Sequence, residues 1–341
     1  MSVHNDRTSV LKGMREALRL QRNLGLDKEP CRSQRIDVFD CISRVGATLM
    51  FQPMDKLLGA YLTEEGNAGI ILNSQRPLGM QRFTAAHELG HFQLKHQSSA
   101  DGENMLRRGP VASDLYSKDV PGQEREADAF ASYFLLPDYL VKEQKALQRW
   151  TNSDLSNPLT IYQASLRFGS SYKATVHALT RMKLVNGSSR KTLLEAKPAD
   201  LKRQLLSDFP LETTKQMDVW HLTEKDEGAV IEAGRNDLFI LRLTENSGSG
   251  YIWTFDELQD AGFVILRDGR ESADTTRIGS STVRQVLAQA EHPSHTTLKL
   301  RECRPWNPDD SSRTFTLHYN TASSYEPGLY EQQREELLSA Q

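Results

Sequence analysis

The sequence predicts an α+β domain with a helical extension, followed by an all-β domain of sandwich size. Three observations predict it. Helical periodicity dominates the first two hundred or so of 341 residues, with only short extended runs between the helices. From about residue 217 the pattern changes to β-type segments joined by Gly/Ser/Asp-rich turns. The composition, 38% hydrophobic and 26% charged, is that of a globular chain able to bury two cores.

The elements follow in order. Residues 9–22 carry a helical stripe of Val10, Leu11, Met14, Leu18 and Leu20, and residues 38–45 read as a second helix. Extended runs at 60–63 and 69–72 flank the turn-prone Glu65-Gly66-Asn67, a hairpin signature. Helices are expected over 81–96 and 124–136, the second stopped by Pro137, with a long polar loop at 97–122 between them. Residues 158–183 read as two helices broken at Gly169-Ser170-Ser171. Strands are expected at 238–243, 262–267, 298–302 and 314–319. The domains so predicted are 1–205, with 158–205 as a basic helical segment, a linker at 206–216, a β-sandwich at 217–322, and a tail at 323–341 whose residues 330–338 read as a short charged helix or a frayed end.

The net charge of −3 excludes a global bias toward nucleic acid or anionic membranes. No apolar run reaches the length of a membrane span, and the polar N-terminus has no secretory apolar stretch. Cys31, Cys41 and Cys303 are too few and too scattered for a disulfide framework or a Cys-x-x-Cys metal site. A reduced, cytoplasmic protein is expected.

Chemistry concentrates in His87-Glu88-Leu89-Gly90-His91. Histidines four apart project from one helix face and can reach one zinc ion, and a glutamate beside the first can act as the general base. Zinc hydrolysis also needs a third ligand. Glu124, 33 residues after His91 and opening the next helix, is the best candidate; Glu126 ranks second because it lies off that face. Asp128, one turn on, is placed to accept the second ring N–H of a ligand histidine. His96 is expected to cap the helix or face solvent. Tyr116 and Tyr133 are candidate helpers for the oxyanion, with Tyr133 the more natural core residue.

The segments 82–92 and 124–137, together with Gly59-Ala60-Tyr61, residues 70–73 and residues 161–169, resemble the ImmA/IrrE family of zinc metallopeptidases over about residues 10–190. That resemblance implies a zincin-like fold, zinc held by His87, His91 and Glu124, and Glu88 as base. It further implies limited, site-specific cleavage of a helix-turn-helix repressor in a stress, phage or mobile-element response. The strand at 69–73 would then be the edge to which a peptide substrate adds.

Residues 158–205 hold nine Lys/Arg against two acids, in a helix–turn–helix rhythm that admits DNA contact. In the β region, Asn246-Ser247-Gly248-Ser249-Gly250-Tyr251 and Arg304-Pro305-Trp306 are rigid, aromatic-bearing turns suited to protein recognition. Trp253 is expected in the core. These motifs, over about 218–320, resemble chagasin-type inhibitors of papain-like cysteine proteases, which implies an immunoglobulin-like fold. Asn246, Gly250, Tyr251, Arg304, Pro305 and Trp306, with a third loop at Gly279, would contact the partner. Ser247-Gly248 stands where that family has Pro-Thr, and the Gly279 loop lacks paired glycines. A recognition or sensing module is therefore expected. The alternatives left open are an inhibitor with a structural metal site and a DNA-binding regulator.

Overall fold

A computed structural model describes residues 2–29, 34–64, 67–97, 99–102, 121–207, 209, 217–234, 236–272, 282–290 and 295–320. The chain divides into two compact units, one ending at Pro198 and one beginning at Ala199.

In the first unit come α1 (Ser2–Asn23), α2 (Val38–Arg44), β1 (Thr48–Gln52), β2 (Leu57–Glu64), β3 (Asn67–Asn73), α3 (Leu78–Leu94) and β4 (Ser99–Gly102). They are followed by α4 (Gly122–Leu135), α5 (Asp138–Leu147), α6 (Pro158–Phe168), α7 (Tyr172–Arg181) and α8 (Gly187–Glu195). The four strands order β1-β3-β2-β4, with β1 and β3 parallel and the other pairs antiparallel. β3 is therefore an interior strand, hydrogen-bonded on both sides. The expectation that residues 69–73 form an open edge is corrected: β1 and β4 hold the edges.

The sheet positions α3. Phe51, Ile70 and Leu72 are fully buried with Ala85, Ala86 and Leu89 of that helix and Phe130 of α4. Ten successive α3 positions from Gln81 to His91, Phe83 excepted, are buried, so the helix lies inside the core rather than on it. Arg82 is buried with them and donates from Nε to the carbonyl of Gly169 at 3.0 Å, tying α3 to the turn between α6 and α7. Tyr172 and Thr175 to Leu179 of α7, which follows that turn, are buried as well.

The second unit contains α9 (Pro198–Leu205, from Ala199 on), β5 (Val219–Thr223), β6 (Val230–Glu232), β7 (Leu238–Glu245), β8 (Ile252–Thr254) and α10 (Asp256–Asp260). β9 (Phe263–Ser272), β10 (Thr282–Ala290), β11 (His295–Arg304) and β12 (Asn307–Asn320) complete it. Two four-stranded sheets form, β5-β7-β10-β9 and β6-β12-β11-β8. They meet where Phe263 of β9 packs edge-on against Tyr319 of β12, ring centroids 4.9 Å apart. Leu206 and Phe209, at the start of the stretch expected to link the domains, are buried against Val219, Leu238 and Ile240. Among the described residues no helix is long and apolar enough to cross a membrane. The tail at 323–341 and the Gly279 loop lie outside the described residues.

Candidate metal centre and recognition loops

Helix α3 carries His87 and His91 one turn apart on its buried length, and the first turn of α4 carries Glu124. The helices can approach this closely because position 90 is glycine: a Cβ there would stand 3.1–3.2 Å from Phe130 and 3.2 Å from the Cα of Ala127. The Nε2 atoms of His87 and His91 lie 2.9 Å apart. Glu124 places one carboxylate oxygen 3.3 Å from His87 Nε2 and the other 3.7 Å from His91 Nε2. Two imidazoles and a carboxylate, the donor set of a catalytic zinc site, thus converge on one point. Their mutual spacing brackets the ~3.3 Å edge of a tetrahedron with arms of about 2.0–2.1 Å, so the residues fit a zinc ion.

Around this cluster each histidine has an outer partner. Asp128, one turn along α4 from Glu124, sets Oδ1 2.9 Å from Nδ1 of His87. His91 Nδ1 lies 2.9 Å from Nδ1 of His96. The ring of His96 is buried and turned inward, which corrects the expectation that it faces solvent. Its backbone N–H does close the helix, donating to the carbonyl of His91 at 3.0 Å. Lys95 makes this possible by adopting the left-handed conformation at φ 57°, which folds the chain back over the helix end. Burial holds the His96 imidazole below its usual pKa, against the opposing pull of Glu126. Glu126, the second-ranked ligand, points elsewhere: it bonds His96 and Lys12, and is not part of the three-residue cluster.

Glu88 is fully buried and sits over Gly59 of β2, its Oε1 3.3 Å from where a Cβ on that glycine would stand. Tyr133 lies under the guanidinium of Arg181, 3.9 Å from ring centroid to Cζ, and packs on the core. Tyr116 lies outside the described residues.

In the second unit the two predicted loops come together. Gly250 is left-handed at φ 80°, and a Cβ on it would meet the Trp306 indole at 2.5 Å, so the ring lies flush on the glycine. Trp306 is 73% exposed, whereas Trp253 is core at 3%. The Arg304 guanidinium stacks on the Tyr251 ring at 4.5 Å, and both side chains bond Asp310. Pro305 sits exposed in the same turn. Beneath them Glu302, fully buried, accepts from the backbone N–H of Asn246 at 2.7 Å and from Arg313. Burial pushes this carboxyl up, but the bonds from Arg313, Ser312 and Asn246 outweigh it and hold its pKa below the ordinary value. Glu302 as the anchor of the loop was missed from sequence, where an alternating strand offers no sign that a carboxylate faces inward.

Comparison with known proteins defines the class. Residues 42–180 match the peptidase M78 family model, described as an IrrE N-terminal-like domain. Residues 232–319 match the model of the chagasin family of peptidase inhibitors, I42. The chain thus joins a part matching the IrrE-like domain of the M78 peptidase family to a part matching the chagasin family. Amoebiasin-2 of Entamoeba histolytica is 30% identical over 87 residues, 25% of this chain and 70% of that protein. Uncharacterized immunity region protein 2 of Bacillus phage phi105 is 33% identical over 90 residues, 26% of this chain; the chain spans about half (51%) of that protein's length. The crystal structure of the cysteine protease inhibitor EhICP2 from Entamoeba histolytica aligns over 32% of this chain and 99% of its own, at 24% identity and a TM-score of 0.28.

Proposed function

We propose that this protein is a zinc-dependent endopeptidase making limited, site-specific cuts in a protein partner, a helix-turn-helix transcriptional repressor, with its β domain as the recognition or sensing module. The observation that carries this reading is the convergence of His87, His91 and Glu124 beside the buried Glu88. The M78 family match supports peptidase chemistry, and the phage relative, named for an immunity region, supports a repressor as the substrate class.

His87, His91 and Glu124 would hold the ion. When bound, zinc supplies Lewis acidity toward the scissile carbonyl and the attacking water. Glu88 takes the proton of that water and delivers it to the leaving amine, a general acid–base role worth about 10²–10⁴ in rate. Asp128 accepts from His87 Nδ1–H, leaving Nε2 bare for the ion. Burial of α3 keeps bulk water from these groups and strengthens each charge interaction. A cytoplasmic setting accords with the buried free thiols Cys41 and Cys303.

Co-expression with candidate repressors, wild type against Glu88→Gln, tests the reading. Cleavage should fall at least about a hundredfold while folding and zinc content are kept. A Glu88→Gln variant that cuts at the normal rate refutes it.

For the β domain, exposed Trp306 seated on Gly250 favours docking on a protein surface. Titration of a papain-like cysteine protease with the full chain separates two forms of this reading. Inhibition lost in Trp306→Ala marks an inhibitor; no inhibition at high concentration leaves recognition of another partner.

A further inference from the structure

We propose that His96 is a positioning residue for His91, acting as the acceptor that sets which nitrogen of His91 is free to bind metal, and that Glu126 and Lys12 set His96 in turn. The inference rests on the reading of His87, His91 and Glu124 as metal ligands.

Proton placement follows from the geometry. His91 aims Nε2 at the cluster, so a ligating His91 carries its proton on Nδ1. That N–H faces His96 Nδ1 at 2.9 Å, which must then be a bare acceptor. The neutral His96 ring therefore carries its own proton on Nε2, 3.0 Å from Glu126 Oε2, a carboxylate that can only accept. Lys12 of α1 donates to the same oxygen at 2.5 Å and fixes the carboxylate from outside. The opposite tautomer would set two N–H groups against each other and a lone pair against a carboxylate. A single proton arrangement satisfies every contact in the chain Lys12, Glu126, His96, His91.

The two ligand histidines are thus held differently. His87 donates straight to the carboxylate of Asp128, whereas His91 reaches its carboxylate through an intervening imidazole. His96 is well placed for this because the left-handed Lys95 returns it to the helix end, where it is only 6% exposed.

Two substitutions at His96 separate orientation from packing. In His96→Asn the side-chain oxygen stands near the place of Nδ1 and can still accept from His91, whereas His96→Leu fills the volume without an acceptor. Zinc affinity by chelator competition should fall about 10–100-fold in His96→Leu and stay within about threefold of wild type in His96→Asn. The visible absorption of the cobalt-substituted protein should shift in the leucine variant and be restored in the asparagine variant. Should His96→Leu not fold, Glu126→Ala, at a part-buried position, carries the test with an affinity loss of about three- to tenfold. Wild-type affinity in the leucine variant, or equal losses in both His96 variants, or an unchanged Glu126→Ala, would overturn the proposal. If the wild-type protein binds neither zinc nor cobalt, the metal-site reading itself falls, and this one with it.

Discussion

Gly59 offers a perturbation whose size can be worked from the structure. A methyl group at this position would stand 2.5 Å from Cγ2 of Thr84, 3.1 Å from the carbonyl of Ile71 and 3.3 Å from Oε1 of Glu88. Thr84 is buried on α3, and β2 is hydrogen-bonded on both sides, so neither neighbour can simply step aside. Overpacking of this kind costs about 1–3 kcal/mol, reduced by about 0.5–1 kcal/mol because alanine loses less backbone entropy than glycine. With an approach as close as 2.5 Å the upper part of that cost, about 2–3 kcal/mol, applies, so Gly59→Ala should destabilise the protein by about 1–2.5 kcal/mol in urea unfolding. Adding Thr84→Ser removes Cγ2 and should recover most of that loss, while the contact with Glu88 persists. Misplacement of a base by up to an ångström can cost ~10²-fold, so a shift of a few tenths should cost roughly tenfold in kcat. The double variant should be stable, zinc-replete and still slow. If it regains full activity together with stability, Glu88 is not held where the reaction needs it by its seat over Gly59. If Gly59→Ala is neither less stable nor slower, the packing argument is wrong.

Two further predictions concern pH, with opposite signs in the two units. His177 is buried beside Arg190 and Lys173, and burial first, then these cations, lower its pKa from 6.5 to about 4. The unfolded chain takes up a proton that the folded unit refuses, so the first unit should lose about 3 kcal/mol as pH falls from 6.5 to 4. His177→Phe should flatten this slope in urea titrations, and an unchanged slope would count against it. Asp237 is buried under the indole N–H of Trp220, and desolvation with Asp218 raises its pKa from 3.8 to about 7. Here the folded state holds the proton more tightly, so stability of the second unit should decline as pH rises from about 4 to 7 and level off above. The slope should not exceed about 1.4 kcal/mol per pH unit, and Asp237→Asn should remove it; a rise in stability over that range would contradict the assignment.

Much of the first unit was legible because its chemistry is written at helical spacing. His87 and His91 at i and i+4 must share a face wherever the helix forms, and Glu124 and Asp128 repeat that spacing on α4. β2 and β3, where the sequence carries the hairpin signal, pair antiparallel with Glu64 opposite Asn67. β1, β5, β6, β8 and β10 were not anticipated, nor was β4, which lies in the stretch expected to be a loop at 97–122. Thr48–Gln52 is a five-residue run between the helix-stopping Gly46, left-handed at φ 82°, and Pro53, and Thr282–Ala290 mixes Arg and Gln with its apolar residues, since only part of that strand is buried.

The sequence by itself determined the local arrangements: which histidines can reach one ion, where helices end, which turns carry Trp and Tyr. Contacts between elements distant along the chain were decided only by the tertiary structure. The parallel pairing of β1 made β3 interior, because a strand's second edge is filled by whichever element the fold brings there. The inward turn of His96 depends on a left-handed Lys95 and on Glu126 arriving from α4, thirty residues later. Trp253 and Trp306 are the same residue type, yet the first, on β8, is core and the second, in the turn between β11 and β12, is surface. Hydrophobicity says that a tryptophan gains from burial; only the packing of the two sheets decides which one has somewhere to go.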